Sequence, residues 1–89
     1  MIRNKAFLLR NVAGSWVVVP AGKAALDFPG MLTLNESGRF LWEQLAEEQT
    51  VQSLVDALVS RYEVTAQQAA VDVEKFLQPL LKVQAVINK

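Results

Sequence analysis

The stretch from Gly30 to Trp42 carries two different periodicities on either side of one asparagine, and that joint constrains the fold more than any other part of the chain. Leu32 and Leu34 alternate with Met31 and Thr33, which puts one pair on each face of a short strand. Asn35 then has the chemistry of a helix cap, with a side-chain oxygen able to accept a first-turn N–H, and Glu36 is favourable at the positive end of a helix dipole. Beyond it, Gly38, Leu41, Trp42 and Leu45 fall on one side at helical spacing. Strand character precedes this joint and helix character follows it.

Before the joint, Ala6 to Arg10 is a strand candidate, and Asn11-Val12-Ala13-Gly14-Ser15 holds turn chemistry, with Asn and Gly able to take positive φ. Trp16-Val17-Val18-Val19 is aromatic plus β-branched, and Pro20 ends it. The two runs are close enough for an antiparallel hairpin. Trp16 is read as a residue that covers the sheet, in preference to a ligand-stacking group. Residues 1–5 read as a loose polar arm, and Ala21 to Pro29 as a connection in which Ala24-Ala25-Leu26 packs or makes a short turn. A hairpin alone is marginal, so Met31–Leu34 is needed as a third strand. At an edge, that strand presents unpaired N–H and C=O groups.

After the joint, a first helix is expected from Glu36 to about Ala46, followed by a polar break at Glu47-Glu48-Gln49. Thr50 caps a second helix whose apolar positions, Val51, Leu54, Val55, Leu58, Val59 and Tyr62, follow the amphipathic series without a gap. Thr65-Ala66-Gln67-Gln68 fits a capping box for a third helix, with Ala69, Val73, Phe76, Leu77 and Leu80 on one face. Pro79 gives no donor to the Lys75 carbonyl and costs about 3 kcal/mol in a helix interior, so a kink near Lys75 or an end near Gln78 is expected. The apolar tail Val83 to Ile87 is expected to pack back as a turn or a short strand. Strands first and helices afterwards indicate an α+β fold: a three-stranded antiparallel sheet followed by three helices, compatible with a winged helix-turn-helix arrangement, in a single domain over residues 1–89.

Composition then narrows function. The sequence has no histidine and no cysteine, which removes the usual general base, the usual zinc ligands and any disulfide framework. The acidic residues do not pair for acid–base work: Asp72 and Glu74 are two apart and so lie on different sides of a helix. The four glycines are scattered and make no phosphate-cradling loop. Nine Lys and Arg balance nine Asp and Glu, so no global field draws nucleic acid or an anionic membrane. No apolar run approaches the roughly 18 residues of a membrane span, and no signal-type segment follows Arg3 and Lys5. The 52% apolar content exceeds what so small a core needs and points to an apolar surface made for a partner. These features describe a cytoplasmic binding module without catalytic residues, metal or cofactor.

The ordered set of fragments resembles the PqqD-like family, also called RiPP recognition elements. Phe7-Leu8-Leu9-Arg10 with Trp16-Val17-Val18-Val19-Pro20 looks like its opening hairpin. Leu34-Asn35-Glu36-Ser37-Gly38, then Phe40-Leu41-Trp42 and Leu45, is similar to its central signature. Thr50, Leu54, Val55, Leu58 and Tyr62 fit its second helix, and Asp72-Val73, Phe76-Leu77 and Leu80 its last. Two departures stand at the end: Pro79 inside the last helix, and Val83-Gln84-Ala85-Val86 where the family often has a glycine.

The resemblance implies a peptide-binding adaptor. Such domains bind the leader of a ribosomally made precursor peptide and deliver it to a modifying enzyme, often a radical SAM protein, in natural product biosynthesis. The family's mode adds the peptide as a strand beside the third strand, with side chains against the third helix. Mapped onto this chain, the peptide edge is Met31, Leu32, Thr33 and Leu34, and the wall is Ala69, Asp72, Val73, Phe76 and Pro79 with Lys75 at its rim. Two other classes compete. An assembly subunit without leader binding fits the apolar surplus equally well. A winged-helix DNA-binding protein fits less well, because the second helix offers only Arg61 and the third only Lys75 and Lys82. Homodimerisation through the open strand edge is a further alternative.

Overall fold

The computed structural model describes residues 1–22 and 30–88, so the expected packing of Ala24-Ala25-Leu26 lies outside the described residues. The elements run β1 (Ile2–Arg3), β2 (Phe7–Val12), β3 (Ser15–Pro20), β4 (Leu32–Leu34), α1 (Glu36–Gln44), α2 (Val51–Arg61), α3 (Ala66–Lys82) and β5 (Val86–Ile87). β2, β3 and β4 form one antiparallel sheet in that order, and the three helices follow it, as the sequence indicates.

The β2–β3 hairpin is tighter than the residues 11–15 suggest. Pairing continues to Val12↔Ser15, leaving a two-residue turn at Ala13-Gly14. Both turn residues have positive φ, +51° and +84°, the geometry whose twist matches that of the flanking strands. The left-handed residue before Gly14 is therefore Ala13 and not Asn11, whose side-chain Oδ1 accepts from the Gly14 N–H at 3.3 Å.

Each helix starts on a side-chain cap. Asn35 Oδ1 accepts from Gly38 N–H at 2.8 Å and from the Ser37 hydroxyl at 3.0 Å. The reciprocal capping box falls on α2, where Thr50 Oγ1 accepts from Ser53 N–H and Ser53 Oγ accepts from Thr50 N–H. On α3 Thr65 Oγ1 accepts from Gln68 N–H, but the Gln68 amide turns forward to Asp72 Oδ1 at 2.9 Å, so the expected box is only half made.

Helix α3 neither ends at Gln78 nor gives way to a new turn; it continues through Pro79 to Lys82. It then stops in a Schellman motif: Ala85 N–H donates to Leu80 O at 2.8 Å and Gln84 N–H to Leu81 O at 3.1 Å. Gln84 occupies the left-handed position with φ +63°, where glycine is the unstrained choice.

The core gathers Phe7 and Val18 from the sheet, Leu41, Trp42 and Leu45 from α1 and its cap, Leu54 and Leu58 from α2, and Val73, Leu77 and Leu80 from α3. The apolar series of α2 is wider than its buried face: Leu54, Val55 and Leu58 are buried, whereas Val51 and Val59 are exposed. Trp16 lies half-buried on the helix side of the sheet, opposite Leu34, with the Arg39 guanidinium 5.0 Å from its ring centre.

Residues 1–5 are not a loose arm. Ile2 pairs with Ile87 and Arg3 with Val86 in a two-stranded sheet, so the tail forms a strand and its partner is the chain's own beginning. Neighbouring bonds fasten this clasp to the helices: Arg3 N–H donates to Leu45 O, Gln49 N–H to Met1 O and Asn4 N–H to Ala85 O. Ala85 and Val86 are buried as a result. Among the described residues, no helix is long and apolar enough to cross a membrane.

Candidate functional site

The hydrogen-bond parity of the sheet decides what β4 offers to solvent. Ala21 N–H donates to Ala6 O, and Pro20, opposite Phe7, has no N–H to give. Along an antiparallel ladder, bonded and non-bonded pairs alternate. Val19, Val17 and Ser15 therefore turn their backbone groups to β2, while Val18 and Trp16 turn theirs to β4. It follows that Leu32 and Leu34, opposite Val18 and Trp16, bond inward, and that Thr33, opposite Val17, points its N–H and C=O away from the sheet. Among the described strands none lies beyond β4.

Beside this edge runs a groove of about 320 Å³ between β4 and α3, with the start of α1 as its floor. Leu32, Thr33 and Leu34 form one wall; Asp72, Lys75, Phe76, Pro79 and Leu80 form the other. Gly38 lets the floor approach both. A Cβ at that position would stand 3.1 Å from Asn35 Oδ1, 3.3 Å from Leu34 Cβ and 3.5 Å from the Phe76 ring. Its absence lets α1 start on its cap while staying close to β4 and to Phe76.

The groove has one charge of each sign. Asp72 already accepts from the Gln68 amide. Lys75 is exposed and has no ion-pair partner among the described residues. Pro79, four residues on, leaves the Lys75 carbonyl without its helical donor. Among the described residues no group of three or more acidic side chains is placed to hold a metal ion.

The structure brings together seven of the ten residues expected at the site: Leu32, Thr33, Leu34, Asp72, Lys75, Phe76 and Pro79. Met31 is exposed just before β4 but does not line the groove. Ala69 and Val73 are corrected to core: both are wholly buried and neither lines the groove. They turn inward because the apolar stripe of α3 is wide, and packing against the other helices takes its centre. Sequence reasoning missed Asn35, Ser37, Gly38, Leu41 and Leu80 as lining residues. Leu80 was within reach, since it lies four residues after Phe76. The floor residues carried no signal apart from the glycine in the first turn of α1.

Comparison with known proteins agrees with this architecture. Residues 15–86 match the family described as "Coenzyme PQQ synthesis protein D (PqqD)", which spans most of the chain. The protein belongs to the PqqD family. Among solved structures, the chain is similar to TbiB1 in complex with the TbiA(beta) leader peptide, with a TM-score of 0.76 and 20% identity over 100% of this chain and 98% of that one. It is also similar to a lasso peptide synthetase B1 complexed with the leader peptide, with a TM-score of 0.67 and 16% identity over 90% of this chain and 88% of that one. At these identities the likeness concerns the fold. No curated protein sequence matches the chain significantly.

Proposed function

We propose that this protein is a non-catalytic adaptor of the cytoplasm that binds the leader of a ribosomally made precursor peptide and presents it to a modifying enzyme. The observation that carries this reading is the outward-facing backbone of Thr33 beside a groove lined by both apolar and polar side chains. A peptide laid antiparallel or parallel along β4 finds a donor and an acceptor there. Its alternate side chains enter the space between Leu32, Leu34, Phe76 and Leu80. Membership of the PqqD family and the leader-bound state of the two similar structures support the same assignment. A radical SAM protein is the enzyme class that the family resemblance favours.

Amide-shift titration with leader segments of peptides encoded beside the gene tests the proposal. The expected result is a set of shifts confined to residues 31–38 and 72–80, which are those of the groove and its rim. Binding to a neighbouring enzyme with no response to any leader would replace the adaptor by an assembly subunit.

A further inference from the structure

The sheet has a second open side. The same parity that turns Thr33 outward turns Leu8, Arg10 and Val12 toward β3, and Leu9 and Asn11 away from it. Among the described strands none pairs beyond β2. At this edge lies a pocket of about 390 Å³ lined by Arg3, Lys5, Phe7, Leu8, Leu9 and Trp42. Leu8 and Leu9 project to opposite faces of the strand, so the pocket straddles the edge. Leu8 is 36% exposed and Lys5 is also open to solvent. Arg3 is held in place, 5.9 Å from the Trp42 ring centre with its Nη1 3.5 Å from Trp42 O.

The charge of this pocket is one-sided. The ion pairs among the described residues are Met1 with Glu48 and Arg39 with Glu43, so none of the described carboxylates pairs with Arg3 or Lys5. Arg10, on β2 itself, adds a third cation to this edge. A second copy pairing antiparallel, β2 against β2 about Leu9, would set Arg10 diagonally across from its own copy, and like charges there are unfavourable. The cations therefore oppose self-pairing and favour an acidic strand.

We propose that the β2 edge and the Arg3–Lys5 pocket dock an extended, carboxylate-bearing segment of a partner protein. Its backbone pairs with Leu9, its acidic side chains meet Arg3 and Lys5, and an aliphatic side chain covers Leu8. Because β2 and β4 lie on opposite sides of β3, both edges can be occupied at once. Assigning the partner as the modifying enzyme rests on the adaptor reading; the chemistry of the edge does not.

The test uses the labelled protein and two short acetylated strand formers, one of alternating valine and glutamate and one of valine and glutamine. The glutamate peptide is expected to shift amides within residues 3–11 and to leave the groove residues still. The glutamine peptide, or Lys5→Glu with the glutamate peptide, is expected to bind about tenfold more weakly, the scale of one well-placed charge contact. Lys5 is exposed, so this variant is expected to melt like the parent. Shifts confined to β4 and α3, equal binding of the two peptides, or no shift on β2 would each overturn the proposal. A leader that fails at β4 while the glutamate peptide still shifts β2 would remove the adaptor reading and leave this docking edge standing.

Discussion

Proline placed at neighbouring positions of β4 should have opposite consequences. Thr33→Pro removes an N–H that points away from β3, so no bond of the ladder is lost. The residue before it, Leu32, is in a strand, which is what a following proline requires. Thr33 is exposed, so little packing is lost, and the folding cost should be about 1 kcal/mol, the span of strand propensity. Leu32→Pro removes an N–H that bonds inward to β3. It also deletes a half-buried leucine that packs against the core, and the two losses together should cost about 3–5 kcal/mol. Binding should follow the reverse order relative to stability. Thr33→Pro should weaken a leader peptide by at least about tenfold, since a strand bond is lost and the ring stands in the path of the added backbone. Urea unfolding followed by circular dichroism, with peptide titration of each folded variant, measures both quantities. Equal destabilisation by the two prolines would refute the parity argument. Unchanged peptide affinity in Thr33→Pro would refute strand addition at this edge.

Four further outcomes are expected. Trp42→Ala should lose about 3–5 kcal/mol, because the ring is 1% exposed at the centre of the core; an unchanged thermal transition would contradict that placement. Ala13→Asn should gain about 0.5–1 kcal/mol in urea unfolding, since Asn-Gly suits a turn with positive φ at both residues. Gln84→Gly should gain about 1 kcal/mol by relieving the left-handed residue after α3, read as a higher melting temperature. Pro79→Ala should stabilise the protein by about 1–3 kcal/mol in the same assay, because it returns a donor to the Lys75 carbonyl.

The parts of this fold that were legible in the sequence are those whose physics is local. Asn35, Thr50 and Thr65 mark their helices because a cap acts within three residues. The run from Trp16 to Val19 marks its strand because β-branched residues suit a pleated surface. Of the clasp between β1 and β5, a short strand in the tail was one of two expectations, but its pairing with the start of the chain was not legible. Ile2-Arg3 and Val86-Ile87 are too short to show any alternation, and each becomes a strand only in the presence of the other. On α3 the same limit blurred core and groove. Periodicity puts Ala69, Val73 and Phe76 on one broad stripe, but only the neighbouring elements decide that the first two are sealed while Phe76 borders the open groove.

The clasp also has a consequence for how the molecule comes into being. The β2–β3 hairpin and each helix join residues close in sequence, whereas Ile2 must find Ile87. Closing so long a loop carries an entropic cost of several kcal/mol, on the order of 1.5RT times the logarithm of the loop length. During synthesis, the hairpin and the first two helices can form as they emerge. Val86, one of the wholly buried core residues, follows all three helices in the chain. Completion of the core therefore waits for two segments far apart in sequence to meet, which makes this joint one of the latest contacts to form.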